Sequence, residues 1–278
     1  MKSSVADWRY RVLCLRIVPV TGSTLYLTDH PHDLTMGGHT YLSTSGYEFT
    51  GHSSTAGFAP ASIDVEGIAG ASGVTRAAVA SGLFDGARCY VFATSWAAPV
   101  EDQEPVTAGI FGKATLLDDR YQIGGVSLID ALGQSVGQTY GAACPKTFGG
   151  TEYAGCGVSL AANTVSGTLT GVTSASIFRD AARADPLDTF TAGTIQFTSG
   201  LNAGLKPLEI KAYAANGTIE VFESFYGLPA IGDTYIMLKG CRKRLEDCQA
   251  YSNTDNFGGF PYIPVGSTYA QFGKGAAE

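Results

Sequence analysis

Two pairs of cysteines, Cys144 with Cys156 and Cys241 with Cys248, stand on either side of a long run of short β-patterned segments. Eleven residues separate the first pair and six the second. Neither interval is the two-residue knuckle of a zinc ribbon or the close-set run of a ferredoxin. If the four share a centre, it closes the neck of the intervening domain and ties its two ends together. A straight helix over 241–248 would hold its two thiols about 10 Å apart on one face. That is too far for one zinc ion, so the chain between them must bend. Arg242, Lys243 and Arg244 place cations there, which favour thiolate over thiol and offset the charge of four cysteine ligands. Gly155, Gly157 and Gly240 let main-chain N–H groups approach sulfur. The residues alone leave open a metal centre, four buried free thiols, or a disulfide pair. Cys14 and Cys89 lie in apolar, strand-like runs and read as small core residues.

The rest of the chain is patterned for strands. Thirty-six glycines, with many Thr, Ser, Tyr and Val, favour strands and turns over helices. The expected fold is mostly β: two barrel- or sandwich-like domains with few short helices. Strands are predicted over Trp8–Val18, Leu25–Thr28, Thr40–Leu42, Tyr47–Thr50, Ala61–Glu66 and Cys89–Ser95. Val106–Leu117 and Tyr121–Leu128 read as a long pair joined by Asp118-Asp119-Arg120. Gly37-Gly38 marks a hairpin turn, and so does Asn216-Gly217 between Leu208–Ala214 and Thr218–Glu223. Thr168–Val172, Thr189–Thr198 and Ile231–Met237 complete the second set. Helices are predicted only at Val74–Leu83 and Ile129–Val136. These elements divide the chain into an N-terminal β domain over 1–140 and a second over 141–250, closed by the four cysteines. Residues 251–278, rich in Gly, Pro and aromatics, form a wrapping arm.

Charge narrows the function. Charged residues make up 15% of the chain, against about 25% in average domains, which suggests a surface that faces other subunits. The net charge of −7 argues against a dedicated nucleic-acid binder. An acidic surface can still line a DNA path, because it lets the duplex slide. No signal peptide and no membrane-spanning run is visible, so assembly in a cytosol is expected, where disulfides are rare. His30, His32, His39 and His52 fall in one N-terminal region with Asp29 and Asp33. A metal site there is conceivable, but a polar turn is the simpler reading. Nucleophile-elbow, zinc-protease and phosphate-loop motifs are missing, so no enzyme is expected.

The stretch from Gly240 through Cys241-Arg242-Lys243-Arg244-Leu245-Glu246-Asp247 to Cys248, followed by Asn253, Asn256-Phe257-Gly258-Gly259-Phe260-Pro261 and Ile263-Pro264, resembles the C-terminal signature of a phage family. That family comprises tail-tip or baseplate hub proteins and includes the hub of gene transfer agents. Gly82-Leu83-Phe84-Asp85-Gly86-Ala87, Ser95-Trp96 and the Cys144 and Cys156-Gly157-Val158 segments resemble it as well. A more distant likeness is to the tail-tip protein of lambda-like phages. The resemblance implies a [4Fe–4S] cluster on Cys144, Cys156, Cys241 and Cys248. It also implies a trimer at the virion tail tip that joins a distal tail protein to a central tip or fibre protein. The alternative is a four-cysteine zinc module for receptor or carbohydrate binding; a wall-degrading tail enzyme ranks lower.

Overall fold

A computed structural model describes residues 5–43, 48–52, 62–70, 73–128, 140–152 and 154–262. The chain divides into two compact units. The first comprises Met1–Ser135 with Leu201–Pro207 and Phe225–Gly227; the second comprises Val136–Gly200, Leu208–Ser224 and Leu228–Glu278.

The first unit is built on a seven-stranded antiparallel sheet in the order β2-β1-β7-β8-β9-β6-β5. Its strands are β1 (Arg11–Val18), β2 (Leu25–Thr28), β5 (Glu48–His52), β6 (Ser62–Ile68), β7 (Arg88–Ser95), β8 (Glu104–Leu117) and β9 (Arg120–Ser127). The two-stranded ribbon of β3 (Leu34–Met36) and β4 (His39–Tyr41) turns at Gly37-Gly38, where both glycines have positive φ. Such a turn matches the natural twist of the strands it joins. Leu15, Ile17, Val65, Cys89, Val91, Phe111, Tyr121 and Ile123 bury one face together with Val79 and Phe84. Val79 lies on α1 (Arg76–Ala80), whose N-terminus is capped by Thr75 Oγ1 accepting from the Ala78 N–H at 3.2 Å. Cys14 packs on the other face, with Tyr41 and Phe92. Both cysteines are fully buried, and burial pushes their thiols up to about 12 and about 11. They are core residues, as the sequence pattern indicates.

The second unit carries another seven-stranded sheet, in the order β10-β16-β13-β14-β15-β12-β11. These are β10 (Thr164–Thr168), β11 (Gly171–Val172), β12 (Ile177–Arg179), β13 (Thr194–Phe197), β14 (Leu208–Tyr213), β15 (Thr218–Val221) and β16 (Thr234–Leu238). Ile195, Phe197, Ile210, Tyr213, Ile219, Val221, Tyr235 and Met237 are buried, at alternate positions except where a bulge between Ile210 and Ala212 shifts β14. Each contributes roughly 1.5–3 kcal/mol of burial energy. The hairpin at Asn216-Gly217 forms. Gly217 takes the left-handed conformation, and a Cβ there would meet the Asp180 carbonyl. The helix α2 (Leu245–Ala250) follows the sheet.

The mostly β expectation therefore holds, with local differences. Trp8–Tyr10 forms a 3-10 turn in place of strand, because Asp7 Oδ1 accepts from the Arg9 N–H at 3.0 Å and closes the chain on itself. Residues 189–193 turn where a strand was expected: Asp188 and Ala192 have positive φ, and the Gly193 N–H bonds back to Phe190. The Thr168–Val172 segment is split between β10 and β11, and β3 and β12 were not foreseen. The helix expected at Ile129–Val136 falls outside the described residues. Among the described residues, no helix is long and apolar enough to cross a membrane.

Candidate metal centre

Strand pairing in the second unit brings the two cysteine segments together. β10 and β16 are antiparallel, with Thr164 opposite Leu238, and the Lys239 N–H extends the ladder to the Asn163 carbonyl. The start of one strand therefore adjoins the end of the other. Cys156 lies seven residues before Asn163 and Cys241 two residues after Lys239. Between Cys241 and Cys248 the chain bends, as the length of the interval requires. Lys243 adopts a left-handed φ of 67°, and α2 starts only at Leu245. Such a conformation in a non-glycine residue costs on the order of 1–2 kcal/mol and marks a place that the surroundings hold in shape. The Lys243 carbonyl accepts from the Cys144 N–H at 2.9 Å, and its ammonium donates to the Lys146 carbonyl.

All four cysteines are free, with Cys156 and Cys248 buried and Cys144 and Cys241 half-buried. Their sulfurs lie within electrostatic reach of one another. Burial pushes the Cys248 thiol up, and the charges of Cys144, Cys156 and Cys241 push it further, while Lys146 opposes them. Burial also raises the Cys241 thiol, against the Lys243 main-chain N–H and ammonium. Donors lie at the sulfurs of Cys144, Cys156 and Cys241, whereas Cys248 Sγ is itself a donor. The Gly258 N–H reaches Cys144 Sγ at 3.4 Å, and Asn253 Nδ2 lies 3.7 Å from Cys156 Sγ. Cys248 Sγ is 3.4 Å from the Asn253 carbonyl.

The neighbours differ in part from those expected. Arg242 pairs with Asp188, and Arg244 with Glu246 and Asp247, so the cations at the sulfurs are Lys243 and Lys146. The N–H groups of Gly155 and Gly157 bond to the carbonyls of Glu152 and Gly150. The main-chain donors to sulfur are Gly258, in a glycine pair after α2, to Cys144, and Lys243 to Cys241. Lys146, two residues past Cys144, is the contributor that sequence reasoning missed; a lysine so close to a cysteine was the available signal.

Among the described residues, His30, His32 and His39 form no comparable site. His39 stacks on Tyr26 and His30 on Trp96, while Asp29 and Asp33 accept from the N–H groups of Leu13 and Ser43. The polar-turn reading accounts for these contacts. The His52 side chain lies outside the described residues.

Residues 7–159 match the family model described as baseplate hub protein, N-terminal attachment domain. The chain belongs to this phage baseplate hub protein family. Residues 188–266 match a second model, described as phage conserved hypothetical protein BR0599. The first match includes Cys144 and Cys156, and the second Cys241 and Cys248. Among solved structures, the hub-family chain is similar to one in the virion of a native gene transfer agent particle. The TM-score is 0.75 and the identity 25%, over 92% of this chain and 88% of that one. No curated protein matches. The hub family is structural.

Four thiols form a soft donor set that suits zinc or iron–sulfur clusters. A zinc ion holds its thiolates at about 2.3 Å, so neighbouring sulfurs would lie within roughly 4 Å of one another. Among the described residues, no three His, Cys, Asp or Glu side chains are grouped closely enough to hold an ion. A four-iron cluster is larger and takes thiolates set further apart. Four thiols with two lysines nearby and N–H donors at sulfur have the donor chemistry that such a cluster takes.

Proposed function

We propose that this chain is a tail-tip hub subunit that joins the tail tube and distal tail protein to a central tip or fibre protein. In this reading it works as a homotrimer, and Cys144, Cys156, Cys241 and Cys248 hold a [4Fe–4S] cluster as a structural cross-link. The observation that carries the cluster is the convergence of four free cysteines, from both ends of one β domain, in a nest of N–H donors and lysines. When bound, the cluster supplies metal–sulfur bonds between the two ends. Closing so long a loop is costly in the unfolded chain, and a metal centre offsets that cost. Hub-family membership and the likeness to a virion chain support the place in the tail. The reading is non-enzymatic, with activity residing in subunit contacts. The acidic balance, 25 acids against 18 bases, suits a surface past which DNA slides without sticking.

Anaerobic purification followed by iron, sulfide and zinc analysis tests the centre. Iron with matching sulfide and broad visible absorption is expected, lost in Cys248→Ser and kept in Cys89→Ser. A colourless protein with one zinc would replace the cluster by the zinc module. Metal-free wild-type protein that assembles into infectious tails would remove the centre from the function. Sedimentation of the purified chain tests the trimer.

A further inference from the structure

One short stretch after α2 reaches three of the four cysteines. The Asn253 carbonyl meets Cys248 Sγ at 3.4 Å, and its Nδ2 donates to the Cys156 carbonyl at 2.8 Å while lying 3.7 Å from Cys156 Sγ. Gly258 donates its N–H to Cys144 Sγ at 3.4 Å. The orientation of the Asn253 amide is dictated by its neighbours. Nδ2 faces a carbonyl, and Oδ1 accepts from Asn256 Nδ2 at 2.7 Å, so the amide cannot be turned round without losing both bonds. The stretch is fastened independently of the sulfurs. Lys146 Nζ donates to the Asn256 carbonyl at 2.6 Å, and the Phe260 N–H to the Gly141 carbonyl at 2.8 Å.

The Gly258 and Asn253 N–H groups suit an anionic sulfur better than a neutral one. An N–H bond to a charged acceptor is roughly twice as strong as one between neutral groups, and a thiol is a weak acceptor. Metal ligands are characteristically held by outer groups that fix their orientation and stabilise their charge. Asn253 does the first for Cys156, and its Nδ2 stands where it can do the second; its carbonyl accepts from the Cys248 thiol, a contact that only the protonated sulfur makes.

We propose that Asn253, in the strap formed by residues 253–260, is a positioning residue for the four-thiolate centre: its side-chain amide is bonded to the Cys156 carbonyl and stands beside the Cys156 sulfur. This rests on the reading of the four cysteines given above.

The test uses the full chain, purified anaerobically and challenged with a chelator while metal release is followed. Asn253→Ala should hold metal about 10- to 100-fold more weakly. Asn253→Asp keeps the size of the side chain but puts an oxygen against the sulfur and the Cys156 carbonyl; it should weaken binding in the same direction and decides the matter if the alanine variant is insoluble. Asp255→Asn, an exposed residue of the same strap, should behave as wild type. Loss of an N–H from sulfur should also lower the reduction potential of the cluster in any variant that retains it. A zinc-loaded chain is read instead by the sulfur-to-cobalt absorption band after cobalt substitution, which should shift. Wild-type metal release with an unshifted potential or band in Asn253→Asp would overturn the proposal. A wild-type chain that binds neither iron nor zinc would overturn the four-thiolate reading itself, and that result is seen before any variant is made.

Discussion

The main-chain N–H of Cys144 donates to the carbonyl of Lys243 at 2.9 Å, so the first cysteine segment docks on the one residue of the Cys241–Cys248 interval that is bent into the left-handed region. The bend turns the chain between Cys241 and Cys248 and presents the Lys243 carbonyl to the Cys144 segment, and it has a measurable cost. A β-branched residue at φ 67° is more strained than lysine, whereas glycine accepts that conformation freely. Lys243→Val should therefore be less stable than Lys243→Gly by about 1–2 kcal/mol. Urea denaturation of the metal-free variants measures this without a contribution from ligand binding. Equal stabilities would show that residue 243 is not held left-handed in solution.

The six cysteines should separate by reactivity. Alkylation needs the thiolate. The Cys14 thiol, at about 12, is ionised in roughly one molecule in ten thousand at about pH 8, and Cys89, at about 11, in roughly one in a thousand. Both are also fully buried. Mass spectrometry after brief iodoacetamide treatment of the native chain should find neither modified. In chelator-treated protein the half-buried Cys144 and Cys241 should react before Cys156 and Cys248. Early labelling of Cys14 or Cys89 would contradict their place in the core.

Much of the fold was legible because its signals are local. Asn216-Gly217 marks the hairpin of β14 and β15 locally, but the bulge between Ile210 and Ala212, which shifts the buried position to Tyr213, has no such mark. Cys14 and Cys89 could be set aside because each sits in an apolar strand. The four-cysteine site was legible only as a list. Its assembly depends on β10 lying beside β16, a pairing that no spacing between cysteines encodes. The left-handed Lys243 is equally silent, since nothing in Arg242-Lys243-Arg244 marks the middle residue. The three cations look equivalent in sequence, and the carboxylates of Asp188, Glu246 and Asp247 decide which of them remain at the sulfurs. Residues 189–193 failed as a strand for a related reason: two non-glycine residues with positive φ carry no compositional flag.

Acid should loosen the second unit through Asp185. Arg183 Nε donates to its carboxylate at 2.7 Å and Tyr213 Oη donates at 3.3 Å. The arginine holds the carboxyl below its ordinary 3.8. A carboxyl lowered by folding stabilises the fold fully above its unfolded value, and that contribution is lost as pH falls through the lower folded value. Asp185→Asn should cost about 0.5–1 kcal/mol near neutral pH, a figure reduced for solvent screening. It should also flatten the decline in stability below about pH 4. Denaturation at a series of pH values measures both. An unchanged acid limb would assign the loss to other carboxylates.

Tyr235 and Asp180 should matter more. Both are buried, and the tyrosine hydroxyl donates to Asp180 Oδ2 at 2.7 Å. Burial first, and then this carboxylate, push the phenol well above its ordinary range, so it remains a donor at any working pH. The other carboxylate oxygen accepts from the Ala182 N–H at 3.0 Å. Gly167 packs against the pair, and a Cβ there would collide with both the hydroxyl and Oδ2. Tyr235→Phe removes the donor while leaving a gap of about one hydroxyl, poorly suited to a water with several partners. The carboxylate oxygen then stays buried without its partner, at a cost of about 1–3 kcal/mol. Removing the acid as well takes away the group that needed satisfying. Asp180→Ala with Tyr235→Phe should therefore cost less than the sum of the two single changes, by roughly 0.5–3 kcal/mol. Additive losses in urea denaturation would show that the two side chains do not act as a pair.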